Sequence, residues 1–520
     1  MDSRKPAFGA DGFQKSPVLR YNYRQIVMNI LSFRELLRKI DKSVPVRECV
    51  SAFSDGGKFP LEIEGCEGAF GALLLAKFYS ARPGLYFVVV PQEGDAADLA
   101  LDLSAAGLPC MQFPWWGTLP YRELSPLAAV FGERVRVLGD LVAGRPGVVV
   151  VPQRAFLSPL PPPDYVKSLL VGIKPGQAVD SESLVRTLVS YGYTRVPRIQ
   201  MRGEFALRGE VLDLYMGDGD APGGTAIPDA YRVLFDFDRV ESIRRLDPLM
   251  QGGGPDRENL RGLSIRPLRE LIWTDDRIDA LGNNLASMKE FSDGGGAIIE
   301  ELIARRGVEG EEMFYPLAFD RRASLLDYLG DSGTLVLVDR ERLENAQESL
   351  EREYRNSYLR SQKETEEPGM DARGREYPLP ERLLLNTGKL IGGDGSGARR
   401  LVSFLSMKSE PKPGVHRVAV SCDPSRSFFG NIGYLKDEFD ALLSTGWQIA
   451  VAAESELQAE RIRTVLAQHP ALSVLATPLS AGFSLPEIKF MLVQENEIFG
   501  RRKRPPRSLK TARSSPIDTF

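Results

Sequence analysis

The residues best placed for chemistry in this chain form a glycine loop and an acid-tipped strand, and each lacks the group that would act. Residues Leu61-Glu62-Ile63-Glu64-Gly65-Cys66-Glu67-Gly68-Ala69-Phe70-Gly71-Ala72 read as a strand, a glycine turn and the start of a helix. That is the outline of a phosphate-binding loop. A working loop, GxxxxGK[ST], uses a lysine ammonium to neutralise the β and γ phosphates and a hydroxyl to hold magnesium. Counting from Gly65, Gly71 stands at the lysine position, Ala72 at the hydroxyl position and Phe70 at the second glycine. Backbone amides cannot close round a phosphate beside so bulky a side chain. Gly65 and Gly68 therefore keep the turn without its chemistry. The second stretch, residues 334–339, is an apolar strand ending in Asp339, as a magnesium-binding strand does, but the next residue is Arg340. A carboxylate at that place would polarise an attacking water; a permanently charged guanidinium cannot. No other GxxxxGK[ST] occurs, so no catalytic residue is expected in this chain.

A third group offers binding. Arg195, Arg198, Arg202 and Arg208 lie close together in sequence. Arginine forks of this kind meet carboxylates as planar, multidentate donors, although a merely solvated face would use the same residues. Metal and nucleophile chemistry have little material: Cys49, Cys66, Cys110 and Cys422 are far apart with no CxxC pair, and the two histidines are His416 and His469. No metal site and no disulfide framework are expected. The net charge of −4 exerts no global pull on nucleic acid, so polyanion contact would need a local patch. No apolar run approaches the roughly 18 residues of a membrane span. Residues 1–23 contain no apolar stretch of signal-peptide length, which points to the cytoplasm.

The elements that must position these residues fall into several domains, as a chain of 520 residues leads one to expect. Residues 24–55 have helical spacing. From Leu61 a strand, a glycine turn, a helix over 72–80 and a strand over 85–90 make a βαβ unit and hence a parallel sheet. A helix over 128–142 and a strand over 148–151 continue it. Prolines at 159 and 161–163 mark a boundary. A helix over 181–191 and alternating segments around 204–214 and 231–246 then indicate a small α+β unit. The strand 334–338 returns to the α/β pattern, and the charged stretch 355–378 reads as a long surface connection. Beyond 418 the α/β rhythm recurs, and the basic residues 501–513 read as a linker.

The sequence becomes specific at Phe113-Pro114-Trp115-Trp116-Gly117-Thr118-Leu119-Pro120-Tyr121, continuing through Ser125-Pro126 to Arg134 and Leu138. By itself such a cluster is commonly core packing. Here it precedes Gly203-Glu204-Phe205-Ala206-Leu207-Arg208-Gly209-Glu210-Val211-Leu212-Asp213-Leu214-Tyr215, then the strand pair of 234–244, and finally Glu495-Asn496-Glu497-Ile498-Phe499-Gly500. In that order these segments resemble the N-terminal, UvrB-like region of the bacterial transcription-repair coupling factors (Mfd). The dead phosphate loop, and the absence of a tyrosine-rich insertion like UvrB's damage-probing hairpin, separate the chain from UvrB itself.

The resemblance implies a multidomain α/β architecture. A degenerate RecA-like, P-loop-like parallel-sheet domain (25–157 and 253–392) would carry an inserted α+β UvrA-binding domain (158–252). A further small α/β domain (393–499) and a basic linker (500–520) would follow. It implies UvrA as the partner, with Arg208 as the leading contact, Arg202, Arg195 and Arg198 as weaker ones, and Tyr215 as an aromatic neighbour. Contacts to RNA polymerase and DNA, with ATP and magnesium as cofactors, would belong to domains of the family not found in this sequence. The chain is thus expected to be a truncated, monomeric recruiter without cofactor. The rival expectations are a non-specific DNA-binding protein using the basic tail, and a divergent helicase-like repair protein.

Overall fold

A computed structural model describes residues 29–30, 32–54, 58–220, 226–248, 259–291, 294–366, 375–391, 400–406 and 413–500. It resolves into two compact units, one of residues 43–420 and one combining 1–42 with 421–520.

The larger unit is built on a seven-stranded sheet in the order His416–Ala419, Leu61–Glu64, Leu401–Leu405, Thr334–Val338, Leu85–Val90, Gly147–Pro152, Cys110–Gln112. Every pairing in it is parallel. Leu85–Val90 and Gly147–Pro152 are apolar and buried almost end to end, as central strands covered on both faces must be. Helices Phe70–Ala81, Glu93–Ala105 and Ala128–Val142 supply the covering layers.

Several expectations change. The strands Leu401–Leu405 and His416–Ala419 flank Leu61–Glu64 in this sheet, whereas the sequence opens a new domain at 393. Parallel partners lie far apart in sequence and leave no local sign of whom they pair with. The stretch 355–378 is not simply a connection, because the helix Arg340–Glu366 runs into it. Leu343, Leu350 and Tyr354 are buried in the core, a stripe too narrow to lift the charged average of this helix. The leading segment is not one helix: strand Asn29–Ile30 precedes helices Phe33–Ile40 and Val44–Ser54. Ser32 and Glu35 form a capping box on the first helix, and Pro45 sits in the first turn of the second, where its missing N–H costs no bond.

Between Gly147–Pro152 and Thr334–Val338 the chain forms an α+β insertion. Its five strands lie in the order Arg239–Arg245, Ala226–Asp236, Val211–Asp220, Glu204–Arg208, Thr194–Arg195. The last pair is parallel and the others antiparallel. Leu188 of helix Ser181–Ser190 joins Phe205, Leu212, Leu214, Val233 and Ile243 in one core. Strand Leu263–Ile265 pairs back onto Val171–Ile173, so the folded insertion extends past residue 252, where the sequence placed its end.

The aromatic signature holds the segment that follows the insertion's last strand. Phe113, Trp115, Trp116 and Tyr121 are buried. Arg134 is wholly buried, its guanidinium 4.2 Å from the Phe113 ring centroid and 3.8 Å from that of Trp116. It donates to the Pro114 carbonyl at 2.6 Å and pairs with buried Glu270. Burial pushes Glu270 above the usual carboxylate range, against the pull of Arg134.

The smaller unit holds a six-stranded sheet, Asn29–Ile30, Ser473–Leu475, Gln448–Ala452, Phe490–Gln494, Phe483–Leu485, Asp423–Pro424. Helices Ile432–Ser444 and Glu456–Val465 contribute Leu435, Phe439, Ala459 and Ile462 to its core.

Candidate functional site

Strand alternation sorts the insertion's sheet into two faces. Phe205, Leu212, Leu214, Tyr231, Val233 and Ile243 point into the core. The intervening residues Arg208, Asp213 and Arg232 are brought side by side by the pairings Arg208↔Val211, Ala206↔Asp213 and Arg232↔Asp213. Arg208 ends its strand at a two-residue turn, where Gly209 takes φ +57°, a conformation such hairpins require and glycine adopts freely.

Asp213 clamps both arginines. Its carboxylate accepts from Arg208 Nη2 at 2.8 Å and, in bidentate fashion, from Arg232 Nε at 2.6 Å and Nη2 at 2.9 Å. The Asp213 side chain is 3% exposed, against 53% for Arg208 and 40% for Arg232. One buried negative charge thus holds two exposed positive ones, leaving a net cation with oriented donors. The hydrogen bond to Asp213 pushes the Arg232 guanidinium above even its ordinary range. Arg244 stands opposite Arg232 on the next strand and donates to Asn259 Oδ1 at 3.0 Å.

The remaining sequence-derived residues are more dispersed. Tyr215, half-buried, lies on the same face as Asp213, opposite Glu204 and Ala230. Arg195 is exposed but registers with Phe205, the alternate set from Arg208. Arg198 and Arg202 are exposed in the following loop, which Glu204 secures by accepting the N–H groups of Gln200 at 2.6 Å and Met201 at 2.8 Å. Arg202 lines a separate cleft of about 140 Å³ shared with Glu133, Arg136 and Arg266. The basic stretch 501–513 lies outside the described residues.

Arg232 and Asp213 are absent from the sequence-derived set. Their signal is present nonetheless: an acid between Leu212 and Leu214, and an arginine between Tyr231 and Val233, each interrupt an apolar alternation and need a partner on the outer face.

The phosphate-loop outline holds a different arrangement. Gly65 and Gly68 adopt φ +81° and +52° and turn the chain into the helix Phe70–Ala81. Phe70 and Ala72 are buried, and a Cβ on Gly71 would lie 3.5 Å from the Phe404 ring. Buried Glu62 accepts from Arg417 Nε at 3.0 Å, and the same guanidinium reaches Glu64 at 3.0 Å. Arg340 donates to Glu344 at 3.1 Å and approaches Glu62 at 3.9 Å. Asp339, at φ +57°, accepts the Arg342 N–H at 3.3 Å at the head of the long helix. The charges at this sheet edge are thus engaged with one another. Among the described residues no group of three or more His, Cys, Asp or Glu is placed to hold a metal, and no helix is long and apolar enough to cross a membrane.

Comparison with known proteins singles out the insertion. Residues 171–270 match the UvrB interaction domain family, a span that opens on strand Val171–Ile173 and closes on Glu270, the partner of Arg134. The transcription-repair-coupling factor of Borreliella burgdorferi is 27% identical over 461 residues, covering 88% of this chain and 38% of that protein. The factor of Staphylococcus epidermidis is 25% identical, covering 73% of this chain and 33% of its own length. That of Haemophilus influenzae is 27% identical, over 65% of this chain and 28% of its own. The chain therefore spans well under half the length of these relatives. It carries a UvrB interaction domain over residues 171–270, and along most of its length it is similar to the transcription-repair-coupling factors.

Proposed function

We propose that this chain recruits UvrA in transcription-coupled nucleotide-excision repair and hydrolyses no nucleotide itself. The observation that carries this reading is a coincidence of place: the matched interaction domain bears, on the outer face of its sheet, the exposed guanidiniums of Arg208 and Arg232 clamped by buried Asp213. Two guanidiniums fixed by one buried carboxylate are preorganised to meet carboxylates on a partner, with little side-chain entropy left to lose. The surface fits an acidic patch on UvrA, with Tyr215 on the same face; Arg195, which registers with core-facing Phe205, and Arg198 and Arg202 in the following loop are secondary candidates off that face.

The absence of hydrolysis is supported by the phosphate-loop outline, where Gly71 and Ala72 replace the lysine and hydroxyl and Arg340 is engaged with Glu344. In this reading the chain works as a monomer in the cytoplasm and needs no cofactor. By the same reading, translocation on DNA, displacement of stalled RNA polymerase, and the use of ATP with magnesium are not activities of these residues. Titration with purified UvrA, with and without ATP, tests the reading. Binding that does not depend on nucleotide is expected, together with no ATP-dependent thermal shift of the chain alone. Absence of binding at micromolar concentrations would contradict it.

A further inference from the structure

Two adjacent glutamates on the short 3-10 turn Glu311–Met313 have opposite surroundings. Glu311 is fully buried and its carboxylate is saturated. Oε1 accepts from Arg269 at 2.5 Å and the Tyr315 hydroxyl at 2.6 Å, and Oε2 accepts from the Trp273 indole at 3.0 Å and the Val308 N–H at 2.9 Å. Glu312 is 8% exposed, yet its Oε1 meets the Thr118 hydroxyl at a long 3.4 Å and its Oε2 has no hydrogen-bond donor among the described residues. A buried carboxylate oxygen without a donor is costly.

Glu312 lines a cleft of about 30 Å³ walled by Trp115, Trp116, Tyr354 and Met313. This is room for two or so water-sized groups. Burial pushes Glu312 up to about 7; the Glu311 carboxylate adds to the rise, while its own backbone N–H, Thr118 and Arg269 oppose it. Of the other charged groups nearby, Arg154 lies 4.4 Å from the Trp115 ring centroid and is paired with Glu353. Tyr354 and Tyr377 stay protonated, pushed up by burial to about 12.

We propose that this cleft receives a primary alkylammonium group, with Glu312 as its carboxylate partner and Trp115 and Tyr354 as its aromatic walls. The class follows from size and donors. A hard metal ion prefers several carboxylate or carbonyl oxygens, whereas the side chains lining the cleft offer one carboxylate with the neutral hydroxyls of Thr118, Ser158 and Tyr354. A quaternary ammonium has no N–H for Oε2, and a guanidinium is too broad for the space. An ammonium offers three donors and a charge that aromatic faces attract. Either a lysine side chain of a protein or a free polyamine carries this group.

The test uses the whole chain, with butylammonium chloride as probe, sodium chloride at matched ionic strength, and butanol as a neutral control of similar shape. Saturable butylammonium binding is expected by calorimetry and tryptophan fluorescence, with none for butanol. Affinity should rise about tenfold from pH 6 to pH 8 as Glu312 loses its proton, because the ligand stays charged throughout. Glu312→Gln, which keeps the side-chain shape, should abolish binding. Tighter binding of Nα-acetyl-lysine amide than of spermidine would identify a protein lysine as the source, and the reverse order a polyamine. Equal binding of butanol, a flat pH profile, binding retained in Glu312→Gln, or no saturable binding would each overturn the proposal. The wild-type pH profile and the butanol control decide the matter even if the variant folds poorly.

Discussion

The phosphate-loop outline and the outer face of the interaction sheet are both built from arginine–carboxylate pairs, turned in opposite directions. At the loop, the Arg417 side chain is 12% exposed and its guanidinium is shared between Glu62 and Glu64, so its charge is consumed inside the protein. On the sheet, the carboxylate of Asp213 is the buried member and two guanidiniums face water. Burying both members of a pair removes their charges from solution at a desolvation cost; burying one acid beneath two bases leaves a positive charge on display. What a partner can read is therefore decided by which member remains in water, more than by how many arginines a segment contains.

Two further buried carboxylates sharpen this contrast. Glu270 with Arg134 is the extreme case, a pair with neither member in water. Arg134→Ala should lower stability by about 3–5 kcal/mol, because it strands a buried carboxylate and empties the space beside Phe113 and Trp116. Denaturant unfolding measures this, and a loss under about 1 kcal/mol would mean that the pair is as dispensable as an exposed one.

Glu312 is the opposite case, a buried carboxylate with no arginine paired to it among the described residues. Its pKa is raised in the fold from 4.5 to about 7, so the protonated form is the one that folding favours. The stability it contributes is complete below about pH 4.5 and is lost as pH rises through about 7. Glu312→Gln should thus match the wild type in acid and exceed it by up to about 3 kcal/mol at pH 8. A stability difference independent of pH would show that the cleft leaves the carboxylate solvated.

How much of this was legible in the sequence differs by element. Ala128–Val142, Leu85–Val90 and Thr334–Val338 have the bounds that periodicity and apolar runs indicate, because each signals its own structure locally. The partners of Leu401–Leu405 do not: a parallel strand finds its place through contacts hundreds of residues away. The helix Arg340–Glu366 was obscured because charged residues outnumber its few buried ones. On the outer face of the insertion's sheet, Arg208 stood out only through the family resemblance of residues 203–215, and its neighbours Asp213 and Arg232 emerged only when pairing set them across adjacent strands. The cluster from Arg195 to Arg208 showed the converse: nearness in sequence does not place four arginines on one face of a sheet.

The central claim is that the clamped arginines of the interaction sheet, rather than basic residues in general, recruit the partner. The direct measurement is the nucleotide-free affinity for UvrA of the wild-type chain, Arg208→Glu and Arg340→Glu in the same titration. Arg208→Glu should cost about 2 kcal/mol or more, roughly a 30-fold loss, as the loss of a central interface arginine does, while Arg340→Glu leaves the affinity unchanged. Equal affinities for Arg208→Glu and the wild type, or equal losses in both variants, would contradict it.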